Sequence, residues 1–140
     1  MMDKDKKGIA LGLQDGQLAP CPKTPNCVST EHHDLNRKML PMSYQNMSID
    51  EAKKILLEVI HSMPRVEIKE QSDDYIHVVY RTLVFEFFHD AEFHFDSADK
   101  HIHYRSATRV GFADFGSNKR WLQSIYARFI QRTYHITKEN

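Results

Sequence analysis

The chain has 140 residues, 19 basic and 19 acidic side chains, nine histidines and two cysteines, and its formal net charge is zero. That length suits one domain, which buries roughly two-thirds of the surface its unfolded chain exposes; 41% hydrophobic and 11% aromatic residues exclude a disordered chain. Balanced charge removes the usual electrostatic ground for nucleic-acid binding, and no run approaches the ~20 apolar residues of a membrane span.

The first residues are polar and lysine-rich, and the apolar stretch Ile9-Ala10-Leu11-Gly12-Leu13 is shorter than the ~7–15-residue core of a secretory signal. Gln14, Asp15, Gly16 and Gln17 follow it in place of a small-x-small cleavage pattern. Residues 1–17 therefore read as a flexible tail, residues 18–136 as one domain, and the location as cytoplasmic by default, with export as the alternative. Next comes Leu18-Ala19-Pro20-Cys21-Pro22-Lys23-Thr24-Pro25-Asn26-Cys27-Val28-Ser29, whose three prolines impose an ordered, irregular path. Four readings of its cysteines stay open: a Cys21–Cys27 disulfide, a pair of packed thiols, a redox couple, and a zinc site with His32 and His33.

Ser48-Ile49-Asp50-Glu51 is a capping box, and Ile49, Ala52, Ile55, Leu56, Val59, Ile60 and Met63 share one face of the helix behind it. Pro64 ends that helix. Leu57, off this face, is a candidate for a dimer surface. Period-two alternation then takes over: Val66 and Ile68, a turn at Gln71-Ser72-Asp73-Asp74, then Ile76, Val78 and Tyr80. Residues 83–88 are apolar apart from Glu86, which suggests a bend, a bulge or a strand covered on both faces. In the next hairpin a four-residue loop, Ser97-Ala98-Asp99-Lys100, sets Asp96 opposite His101, His94 opposite His103 and Glu92 opposite Arg105. A glycine-containing loop leads to a last helix capped by Ser117 or Asn118 and running to about Tyr134, with Trp121, Leu122, Ile125, Tyr126 and Phe129 on its apolar face.

The expected fold is α+β: two layers, an antiparallel sheet of about four strands, and two helices on one face, in the order helix, strands, helix. The Pro/Cys-rich segment is expected on an edge of the sheet. Leu18-Ala19-Pro20-Cys21-Pro22 with Pro25-Asn26-Cys27-Val28-Ser29 resembles the amino-terminal motif of the domain-of-unknown-function family 1499. Asp90-Ala91-Glu92-Phe93, and the run from Arg105-Ser106-Ala107-Thr108-Arg109 through Asp114-Phe115-Gly116 to Asn118, resemble its carboxy-terminal motifs. The resemblance spans about residues 18–130 and implies bacterial and plastid relatives, without an activity.

The candidate ligand-binding constellation is Asp90, Glu92, Arg105, Arg109, Asp114 and Asn118. Arginine presents a planar fork of donors to a carboxylate or phosphate, and the start of the last helix offers free N–H groups to an anion. On a purely structural reading, Glu92 pairs with Arg105, Asp114 pairs with Arg109, and Asn118 caps the helix. On a functional one, the chain is a noncatalytic module that binds a small anionic or amphipathic ligand, or a protein partner, through the 105–118 loop. Two alternatives stand beside it. One is a hydrolase or isomerase with Asp114 or Glu92 as base and Arg109 stabilising an oxyanion, though no Ser-His-Asp or Cys-His pattern marks a nucleophile. The other is a metal-binding protein using His94 and His103, with Asp96 and His101 next along. No cofactor is implied.

Overall fold

The computed structural model describes residues 10–83, 87–110 and 114–139. Its elements follow the order β1 (Leu13–Gln14), β2 (Gln17–Leu18), β3 (Cys27–Ser29), β4 (Met42–Ser43), α1 (Ile49–His61), β5 (Val66–Gln71), β6 (Tyr75–Arg81), β7 (Phe88–Asp96), β8 (His101–Thr108) and α2 (Ser117–Glu139). The fold is α+β with two helices and a mostly antiparallel sheet. Two expectations are corrected. The main sheet has six strands rather than about four, in the path β3-β8-β7-β6-β5, with β4 pairing with β8 beside β3. Four short strands also precede the first helix, so the order helix, strands, helix holds only from Ile49 onward. Strands of two or three residues complete too little of a period-two pattern to be read from sequence.

Local chemistry explains the long elements. Ser48 Oγ accepts from the Glu51 N–H at 3.1 Å while the Glu51 carboxylate accepts from the Ser48 N–H at 3.0 Å, closing the capping box. Ala52, Leu56, Val59 and Ile60 of α1 are buried, and Leu57, read as exposed, packs partly buried against the same core. The β7–β8 hairpin has the expected register: Asp96 faces His101, His94 faces His103 and Glu92 faces Arg105. Its loop is tightened by Asp96 Oδ1, which accepts from the Ala98 N–H at 2.9 Å. The segment read as a bent or covered strand connects β6 to β7, with Leu83 (70%) and Phe88 (48%) exposed at its ends. Its residues 84–86 lie outside the described residues, as do residues 111–113 of the loop before α2.

Alternation separates the sheet into two chemically different faces. Ile76, Val78, Tyr80, Ala91, Phe93, Phe95, Ile102 and Tyr104 join Leu56 and Ile60 of α1 and Leu122, Ile125 and Phe129 of α2 in one core. Burying each such side chain stabilises the fold by roughly 1.5–3 kcal/mol. On the opposite face stand Tyr75, His77, Asp90, Glu92 and Arg105, which are nonetheless buried. Part of their cover is the β1–β2 ribbon, built from residues 13–18 of a segment whose first seventeen residues read as a tail.

The edge segment is held by a Cys21–Cys27 disulfide. Of the four readings, this is the one realised; it rules out packed thiols, and the zinc set loses its sulfur ligands. Cys27 faces Ala107 and Ser29 faces Arg105 across the β3–β8 ladder. Among the described residues no helix is long and apolar enough to cross a membrane.

Candidate functional site

The six nominated residues do not converge on one open volume. They form three closed networks, divided between the two faces of the sheet.

The first network centres on Arg105, fully buried on β8. Its Nε donates to Glu92 Oε1 at 2.7 Å. Its two terminal nitrogens donate to the carbonyls of Ala19, Pro20 and Ala10. The other carboxylate oxygen of Glu92 accepts from the Gly12 N–H at 2.6 Å and from the Tyr75 hydroxyl. Every polar atom of the ion pair thus has a partner, which is the condition for burying charges in a low-dielectric interior. Burial and the neighbouring Glu92 charge push the Tyr75 hydroxyl pKa well upward. The amino-terminal segment is therefore a lid of backbone carbonyls over Arg105. Gly12 takes φ +91°, a backbone conformation that side chains disfavour, where its N–H meets Glu92.

The second network lies on the same face, one pair along. Arg109 grips Asp90 with two bonds, Nε to Oδ2 at 2.9 Å and a terminal nitrogen to Oδ1 at 3.1 Å. His77 Nε2 reaches Asp90 Oδ1 at 2.7 Å. Burial opposes the charged form of Asp90, yet the bonds from His77 and Arg109 hold its carboxyl below the ordinary value. The partner of Arg109 is Asp90, which corrects the expected Arg109–Asp114 pair: Arg109 lies just past the end of β8, where strand alternation no longer aims side chains.

The third network is on the helix side, around Asn118 at the start of α2. Its side-chain nitrogen donates to Asp114 Oδ2 (2.6 Å), Thr108 Oγ1 (2.9 Å) and the Asn26 carbonyl (3.1 Å). Its oxygen meets the hydroxyls of Ser106 (2.6 Å) and Tyr80 (3.1 Å) and His89 Nδ1 (3.2 Å). Asp114 also accepts from the Gly116 N–H at 2.8 Å. The protein's own carboxylate therefore sits where an anion was expected at the helix start. Ser117 and Asn118 lie within α2 rather than capping it from outside. Tyr80 is sandwiched between Trp121 (ring centroids 4.0 Å apart) and His89 (4.7 Å). An amide oxygen only accepts, so the contact with Asn118 assigns a proton to Nδ1 of a neutral His89. His89 Nε2 is buried with no partner among the described residues, and burial lowers the pKa of the ring.

The two histidines of the nominated metal pair contact different carboxylates. His94 and His103 face each other across the ladder, but His94 Nε2 lies 3.6 Å from Asp74 whereas His103 Nε2 lies 3.2 Å from Asp99. Among the described residues, the group of three whose ligand atoms come within 4.8 Å of one another is Asp96, Asp99 and His103, without His94. Sequence reasoning missed Tyr75, His77 and His89, which complete the three networks. Tyr75 and His77 lie in the alternating β6 pattern, but the 83–88 connection concealed which β7 residues they meet.

None of four surface cavities between described residues is lined by any of the six nominated side chains. The class defined by fold and site is thus a small α+β domain, disulfide-clamped at one edge, with a Glu92–Arg105 pair and Asp90 buried in it. Residues 17–129 match the family described as Protein of unknown function (DUF1499), and the chain belongs to that family. A comparison with curated proteins finds no match.

Proposed function

We propose that the chain is a noncatalytic module that binds a small anionic or amphipathic molecule. The observation that carries this reading is the closure of the three networks: each group nominated for acid–base chemistry already has an internal partner. A general base must reach a substrate proton with a lone pair to spare, whereas Asp114 accepts from Asn118 and the Gly116 N–H, and both oxygens of Glu92 are engaged. In this reading the networks make the body rigid, and binding falls on surface they leave alone. The disulfide supports an oxidising compartment over the cytoplasm inferred from the sequence.

The test is thermal denaturation of the full chain with a panel of carboxylates, phosphate monoesters and neutral alcohols of matched length. Anions are expected to raise the midpoint and alcohols to leave it unchanged. Arg109→Ala is expected to lower stability by about 2 kcal/mol, less than the roughly 3–5 kcal/mol of a fully buried pair because Arg109 keeps some contact with water, and to retain the anion response. Ester or phosphate turnover abolished by Arg109→Ala at unchanged stability would overturn the proposal, as would indifference to every anion.

A further inference from the structure

We infer that the groove between residues 38–40 and the start of α2 binds a single long-chain carboxylate. The inference rests on the binding-module reading and gives it a site. The floor of the groove is apolar: Met39 and Tyr104 are buried and Tyr126 is partly so. Tyr104 is held by its hydroxyl, which donates to the Leu40 carbonyl, while the Leu40 side chain stands 72% exposed at the rim. The cavity measures about 430 Å³, inside the roughly 300–1,000 Å³ range of small-molecule sites.

The rim carries the charge argument. Lys38 and Lys119 line the groove from its two walls, both exposed, and among the described residues no aspartate or glutamate lines it. In a chain of zero net charge this is a locally cationic mouth over an apolar floor. An amphiphile with an anionic head complements both at once: the tail covers the floor and the head stays hydrated between two point charges. Besides the lysines, the lining offers only Gln123 and the Tyr126 hydroxyl as further side-chain donors, since the Tyr104 hydroxyl is engaged. The lysines meet the head as point charges rather than as a fixed fork, and a carboxylate satisfies that with a single charge.

The experiment is titration calorimetry of the full chain with dodecanoate, decanoate, dodecanol and dodecyltrimethylammonium, each below its aggregation limit. Dodecanoate is expected to bind one per chain, and shortening the tail to weaken binding about fourfold per methylene. Dodecanol and the cationic amphiphile are expected to bind at least tenfold more weakly than dodecanoate. Lys38→Glu/Lys119→Glu, two exposed substitutions, should cut dodecanoate affinity at least tenfold with the unfolding midpoint unchanged, and Leu40→Ser should cut it severalfold. Equal binding of dodecanol and dodecanoate overturns the inference. So does a dimer at assay concentration that Leu40→Ser abolishes, because the groove would then be covered by a second copy. Competition from a peptide of residues 1–9 that matches dodecanoate and loses strength in the same variants would assign the groove to the chain's own amino end and overturn it too. Dodecanoate binding that is unaltered in the double variant refutes this groove and leaves the module reading standing. Indifference of the unaltered chain to every anion in the panel refutes the module reading itself.

Discussion

His89 is the residue whose chemistry most exceeds what its position in the sequence announces. It is a fully buried histidine, stacked on Tyr80, with one ring nitrogen bonded and the other unpartnered among the described residues. Protonation places an unpaired charge in the core, so burial lowers its pKa from the ordinary 6.5. A lowered histidine pKa contributes stability that is present above the unfolded value and lost as pH falls through the folded one. Stability should therefore begin to decline below about pH 6.5, with a slope approaching ~1.4 kcal/mol per pH unit for this one group. Asp90, also lowered, adds a second loss in the same direction below its ordinary value of 3.8. Denaturant melts at pH 7, 6 and 5 check this: His89→Phe keeps an aromatic ring on Tyr80 and should flatten the slope between pH 6.5 and 5, whatever its effect on absolute stability. An unchanged slope would mean that other groups carry the dependence. The Glu92–Arg105 pair was readable in advance because the loop length sets the register of the hairpin. The grip of Arg109 on Asp90 was not, and neither was the role of Asn118, whose six polar contacts draw on β6, β7 and β8 and on residues just before β3 and α2.

At the scale of elements, sequence legibility tracked length. The capping box and the apolar stripe of α1 are local signals repeated over several turns; six of the seven stripe residues lie in the helix as read, and Met63 falls just past its end at His61. The β1–β2 ribbon has two residues per strand and depends for its place on Arg105 and Glu92, more than seventy positions away. Its one local signal is Asp15-Gly16, a two-residue hairpin turn with both residues at positive φ, which a reading as tail passes over. The last helix runs on to Glu139 rather than stopping near Tyr134, since no glycine or proline interrupts it. The disulfide closes the loop that positions Asn26 on Asn118 and Thr108. Its loss in Cys21→Ser/Cys27→Ser should lower stability by about 2 kcal/mol on loop entropy alone. Comparing the urea midpoint of the oxidised chain with that of the double variant tests this, and identical midpoints would show the clamp to be dispensable.

The whole molecule has two sheet edges with different defences. The β8 edge is covered along its length by β3 and β4, whereas β5 ends the path with its outer side unpaired. That open edge carries Glu67, Lys69 and Glu70 and a register shift between Ile68 and Glu70, two devices that discourage another strand from docking. Glu67→Val/Lys69→Val should raise light scattering on heating at concentrations where the unaltered chain stays clear; equal scattering would show that the edge is protected by other means. The way β3 is docked also bears on how the protein is made. Cys27 lies against Ala107 and Ala10 against Arg105, so this segment has no seat until the last strand arrives, about eighty residues after Cys27. At roughly 5–20 residues per second both thiols wait unshielded for several seconds, and during that interval an oxidising environment or a disulfide-exchange catalyst decides which sulfur each of them meets.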